Sequence, residues 1–168
     1  TDKLSLPAVS EILFGHGTLA IDDADGVLGS TAVSSTLLGM RLRVRTGLVA
    51  VYTDGGELYF DHLRRGVPEA ELELTFEHNG SAESEIAAWR AETARQMRLL
   101  WEGPALGTEG TTYANKTLQI DLAGRWERFS ALGEQDGNDT VAGTFRVRYD
   151  EDADLALEAI VVNEVASL

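Results

Sequence analysis

The tightest constraint on this chain is a set of segments whose residues alternate in character with a period of two. In "ELELTFEH", Leu72, Leu74 and Phe76 fall on one side, and Glu71, Glu73, Thr75 and Glu77 on the other. A helix would spread this pattern around its circumference. Only an extended strand sends successive side chains to opposite faces. "MRLRVRT" repeats the pattern, with Leu42 and Val44 opposite Arg41, Arg43 and Arg45. "TVAGTFRVRYD" sets Phe145, Val147 and Tyr149 opposite Arg146 and Arg148. The chain therefore builds a sheet with one apolar and one charged face.

The remaining segments fill in around that sheet. "LVAVYTDGGELYFDHL" reads as a hairpin, with two apolar runs flanking Asp54-Gly55-Gly56. "SAESEIAAWRAETARQM" predicts one helix over about 81–97, capped by Ser81, with Glu83 and Glu85 in its first turn. Its apolar stripe is Ala82, Ile86, Trp89 and Thr93. "RLLWEGP" reads as a strand stopped at Gly103-Pro104. "KTLQIDLAGRWERFSAL" reads as a long strand with a bulge or bend at Gly124. "GEQDGND" is a turn and "ALEAIVVNEV" a last strand. Thr1 to Leu38 shows no sustained period and reads as an arm with one or two short strands. The expected fold is mainly β: an antiparallel sandwich or barrel of about eight strands with one flanking helix. The expected division is a flexible assembly arm over 1–38 and a β-domain over 39–168.

Composition narrows the function. The 168 residues suit one domain with its own core. Lys plus Arg number 14 against 28 Asp plus Glu, a formal charge of −14. Such a chain repels a phosphate backbone, so a free nucleic-acid binder is disfavoured. With no cysteine, disulfides, Cys-ligated zinc and thiol catalysis are excluded. No apolar run approaches the roughly 20 residues of a membrane span, and no leader pattern opens the sequence.

The candidate chemical motifs fail on spacing. An EF-hand loop needs Gly at the sixth position and Glu at the twelfth. Counting from Asp23 puts Gly26 fourth and Ser34 twelfth; counting from Asp136 puts Gly137 second and Val147 twelfth. Both acidic loops read better as turns, in which Asp, Asn and Gly are favoured. His16, His62 and His78 form no metal-binding spacing, and no Gly-x-Ser-x-Gly elbow or phosphate loop occurs. No catalytic, metal or cofactor site is expected. The single-sign rows are more telling. Rows Arg41/Arg43/Arg45, Arg146/Arg148 and Glu71/Glu73/Glu77 invite pairing with opposite rows, on a neighbouring strand or on another subunit.

From "ELELTFEHNGSAESEIAAWRAETARQMRLLWEG" and "YANKTLQIDLAGRWERFSALGEQDGNDTVAGTFRVRYDEDADLALEAIVVNE" the chain resembles the tail tube proteins of long-tailed bacteriophages. The matching positions are Lys116, Leu118, Ile120, Gly124 and Trp126, then Asp136 to Asp139, Thr140, Gly143, Thr144 and Phe145, and Val162 to Glu164. The resemblance covers about 38–168. It implies a structural virion protein, without catalysis or cofactor. Six copies would form a ring, and rings would stack into a hollow tube that conducts the viral genome. Its implied partners are other copies, the tape measure, terminator and distal tail proteins, and DNA passing without specific binding, with no membrane. Its implied location is the virion tail, assembled in the bacterial cytoplasm. On that basis Glu57, Asp61, Glu71, Glu73 and Glu77 are candidates to line the bore. Arg41, Arg43, Arg45, Arg146 and Arg148 are candidates for contacts between subunits. The alternatives are a related tube or connector ring, such as a tail terminator, a baseplate-proximal ring or a secretion-system tube. A monomeric ligand-binding sandwich using Trp101 and Trp126 is the remaining one.

Overall fold

The structure is a computed structural model and describes residues 13–55, 58–108, 110 and 112–164. After a single 3-10 turn, Phe14–His16, the strands are β1 (Gly17–Asp23), β2 (Ala32–Val33), β3 (Leu37–Arg45), β4 (Leu48–Val51), β5 (His62–Arg65) and β6 (Glu69–Glu77). One helix, α1 (Gly80–Arg90), precedes β7 (Ala94–Ala105), β8 (Asn115–Phe129), β9 (Gly133–Gln135), β10 (Asn138–Val147) and β11 (Leu157–Val162). The protein is mainly antiparallel β with one helix, as the alternation requires.

Nine strands form one sheet in the order β2-β1-β7-β8-β10-β6-β3, with β11 beside β8 and β9 beside β10. The two ends of this path, β2 and β3, are joined by only residues 34–36. The four steps from Val33 to Leu37 span at most about 14 Å. The sheet must therefore curl until its ends nearly meet, and its apolar face becomes the inside. That inside holds Leu19 and Ile21 of β1, Leu72, Leu74 and Phe76 of β6, Met97, Leu99 and Trp101 of β7, Leu122 and Trp126 of β8, and Val141 and Phe145 of β10. Trp126 is its aromatic centre, with ring centroids 4.8 Å from Phe129, 5.3 Å from Phe145 and 5.9 Å from Phe76.

The 15-residue β8 holds the curl together. One edge pairs with β7. The other is shared end to end, by β11 along 117–122 and by β10 along 124–129. The expected irregularity in β8 lies at Glu127 and not at Gly124, because the register shifts between Trp126 and Arg128 opposite Phe145 and Thr144. Gly124 serves close approach instead: a Cβ there would lie 2.1 Å from the Arg146 carbonyl oxygen.

Several expected boundaries move. The helix ends at Arg90 instead of 97, and its cap is Asn79, whose side chain accepts from the Ser81 and Ala82 amides, so Ser81 lies inside the first turn. Glu92 at φ 54° turns the chain out of the helix, and Thr93 leaves the apolar stripe. β7 runs through Gly103-Pro104 to Ala105. The hairpin at 48–65 exists, but its second strand is His62–Arg65; the apolar run Leu58, Tyr59 and Phe60 belongs to the loop. Tyr149, placed inward by alternation, lies beyond β10, is exposed and donates its hydroxyl to Asp154.

The first 38 residues divide. Residues 1–12 lie outside the described residues. β1 is integral to the sheet, paired with β7 over its whole length, with Leu19 and Ile21 in the core. The loop from Ala24 to Thr31 folds back over the outer face of β1 and β7. Asp22 fixes it, accepting from the Gly29 amide at 2.7 Å, the Ser30 hydroxyl at 2.7 Å and the Thr31 amide at 2.8 Å. Burial pushes the Asp22 carboxyl up, but those donors together outweigh it and hold the group below the usual carboxylate value. Among the described residues no helix is long and apolar enough to cross a membrane.

Candidate assembly surface

Among the described residues, exposed apolar side chains concentrate in one place. Of the 16 large hydrophobic residues exposed among the described ones, nine fall between Val44 and Val67. Single exposed hydrophobics are ordinary; a concentration marks an interaction site. All but Val44, which is on β3, sit on or beside β4 and β5, which among the described residues pair only with each other and form a two-stranded sheet apart from the main one. The hairpin is an arm. Leu58 is 94% exposed, Tyr59 79% and Tyr52 69%.

The arm has a defined neck. The Gly66 amide donates to the Gly47 carbonyl at 2.7 Å. Gly47 has φ 67°, and a Cβ there would lie 2.6 Å from the Val67 carbonyl oxygen. Only glycine allows the two strands to leave the body this close together. An isolated two-stranded hairpin is marginal in water, and covering its apolar side chains would stabilise it.

β3 is the second part of the surface. It is paired by β6 on one edge and leads directly into the arm, while among the described residues its other edge has no strand beside it. Such an edge offers unpaired amides and carbonyls to another chain. Its outer face carries the arginine row, and β6 answers it in register: Arg41 opposite Glu73, Arg43 opposite Glu71, Arg45 opposite Glu69. The nitrogen–oxygen separations are 4.0, 3.5 and 3.9 Å. Arg146 on β10 joins from the far side, 3.4 Å from Glu69 and 3.8 Å from Glu127. The outer face thus carries bands of positive, negative and positive charge within one copy. Each exposed pair contributes only about 0–1 kcal/mol, so the bands set the charge pattern more than the stability.

The remaining candidates scatter. Glu77 stands on the same face of β6, opposite Thr140 of β10. Asp61 lies beside β5 in the arm, 3.2 Å from His62, and not on a strand neighbouring the Glu71 row. Glu57 lies outside the described residues. The Arg148 guanidinium has no partner within the chain among the described residues. Glu69 was missed although it continues the alternation of Glu71 and Glu73 by one step.

Two further features bear on ligand binding. Trp101 and Trp126 are core residues, 7% and 5% exposed, and are not available to stack on a ligand. A polar cleft of about 560 Å³ lies between the 24–31 loop and the Asp152–Leu155 turn. On its floor Arg98 makes a paired contact with Asp121, both bonds 2.8 Å, and Gln119 donates to the same carboxylate at 2.8 Å. The hydrogen bonds that Arg98 donates to Asp121 raise the Arg98 pKa against the opposing effect of burial. Among the described residues no buried side-chain nitrogen or oxygen lacks a partner, so the floor is satisfied without a ligand.

No known sequence family matches the chain, and no curated protein does. Among solved structures, one described as "Hcp protein" aligns over 87% of this chain and 98% of its own, at 8% identity and a TM-score of 0.43.

Proposed function

We propose that this protein is the structural subunit of a hollow tube, built from rings of copies that stack on one another. We further assign the tube to the tail of a long-tailed bacteriophage, assembled in the host cytoplasm, where it conducts DNA. The observation that carries the proposal is the arm, an apolar hairpin held off the body by a glycine neck and next to an open sheet edge. Fully burying five of its side chains contributes on the order of 8–15 kcal/mol. Association costs about 4–15 kcal/mol in lost freedom. The two quantities are of the same size, so burial of the arm supplies the scale of free energy that association requires. The acidic surplus suits a conduit, since a negative wall keeps phosphates from adhering. Glu71, Glu73 and Glu77 are the acids assigned to that wall, where Glu73 and Glu71 offset Arg41 and Arg43 on the same face and keep that row from holding phosphates. Residues 1–12 and the loop after β1 are assigned to contacts between rings.

Negative-stain microscopy of concentrated protein tests the proposal. Hollow rods with a regular axial repeat are the expected result. A strict monomer by light scattering at every concentration would overturn it.

A further inference from the structure

Most of the described cations of this acidic protein are used internally, and three of the exceptions cluster. Arg41, Arg43, Arg45, Arg95, Arg98, Arg146 and Lys116 each meet a carboxylate of the same chain. Apart from Arg64 and Arg65 on the arm, the arginines whose guanidinium groups have no partner among the described residues are Arg90, Arg125 and Arg148. These three line one cleft of about 480 Å³ beside Trp89. Glu92 and Glu127 also line it, but Glu127 is engaged with Arg146. Arg125 stands directly opposite Arg146 across the β8–β10 pair, and it is Arg146 that takes up the nearby Glu127, which leaves Arg125 without a carboxylate of its own among the described residues.

The complementary element is the β9–β10 hairpin. Asp136 and Gly137 form its two-residue turn, with φ 53° and 83°, so the tip is preorganised. Glu134 and Asp139 face each other across the strands, again like against like. The carboxylates of Glu134, Asp136 and Asp139 have no partner among the described residues, and the tip is exposed throughout. The tip cannot reach the cleft of its own copy. It begins β10, Arg148 follows the end of β10, and ten strand residues separate them by roughly 30 Å.

We infer that the Arg90/Arg125/Arg148 cleft is a socket for the acidic β9–β10 hairpin of a second copy. A plug and a socket at opposite ends of one strand make a head-to-tail interface, which closes into rings or runs on as a filament. The inference rests on the self-assembly proposed above and names a contact within it.

Two measurements test it. The chain has no cysteine, so Asp136→Cys and Arg148→Cys each introduce a single thiol. Mixing the two proteins with a short bis-maleimide is expected to give a dimer containing one of each. Neither variant alone should crosslink to a comparable extent. Separately, Arg125→Glu with Arg148→Glu, checked for wild-type circular dichroism, should raise the concentration at which assembly begins by roughly tenfold or more. Adding Glu134→Lys and Asp139→Lys to the same chain should lower it again. Rods from wild type with no mixed crosslink and an unchanged threshold in the charge variant would overturn the socket and leave the tube standing. A mixed crosslink without rods would support the socket and overturn the tube.

Discussion

At the scale of single residues, the least expected side chain is Glu85. With Ser81 as the expected cap it would be a solvated acid of the first turn, yet the helix starts at Gly80, and Glu85 lies past the first turn, 7% exposed and pointing into the body. Its carboxylate accepts from the Trp126 indole at 2.7 Å and from Arg95 at 3.2 Å, and Arg95 also meets Asp23. One acid thus ties α1 to the central tryptophan of β8, to β7 and, through Arg95, to the end of β1. Removing one partner of a buried pair leaves the other unsatisfied, which usually costs about 3–5 kcal/mol. Arg95 would keep Asp23, so Glu85→Ala is expected to lose about 3 kcal/mol in urea unfolding. Glu85→Gln, which keeps an acceptor for Trp126, should lose less. A loss under about 1 kcal/mol in the alanine variant would show that the network does not anchor the helix.

At the scale of elements, the arm and the body should be energetically separate. Gly47 and Gly66 already lie at hydrogen-bonding distance, so a two-residue Asn-Gly turn replacing residues 48–65 spans the same gap. We expect that variant to melt as wild type does, within about 0.5 kcal/mol, because no core residue is lost. It should form no rods. A large drop in melting temperature would mean that the arm supports the fold, and normal rods would mean that it does not assemble them. The same elements show what the sequence could and could not reveal. β6 was legible because one face is buried and the other is not, so Leu72, Leu74 and Phe76 alternate with acids. β1 was not, because both of its faces are covered: Leu19, Ala20, Ile21 and Asp22 are all buried, which erases the alternation. The helix was overextended because Ala91 to Met97 contains good helix formers, and nothing in their composition signals the left-handed turn at Glu92. Leu58 to Phe60 read as a strand because apolar runs normally find cover inside their own chain. The charge ladder of β3 and β6 was visible as two rows, but which row meets which depends on register, and periodicity alone does not set it.

At the scale of the whole molecule, the net charge of −14 opposes every assembly described above, and ionic strength decides how far that opposition reaches. Copies repel over a Debye length of about 30 Å at 0.01 M salt and about 8 Å at 0.15 M. The contacts that favour association act at shorter range. Apolar burial at the arm does not depend on screening, and the socket's ion pairs are partly enclosed once formed. Raising salt from about 10 to 150 mM should therefore lower the concentration at which rods appear, as sedimentation or light scattering would measure. The difference between wild type and the Arg125→Glu/Arg148→Glu variant should narrow as salt rises further, because that difference is electrostatic while the arm contact is common to both. A threshold that instead climbs steadily from 10 mM upward would mean that attraction between opposite charges dominates assembly. The arm would then be secondary, and the charge bands of β3, β6 and β10 would hold the copies together.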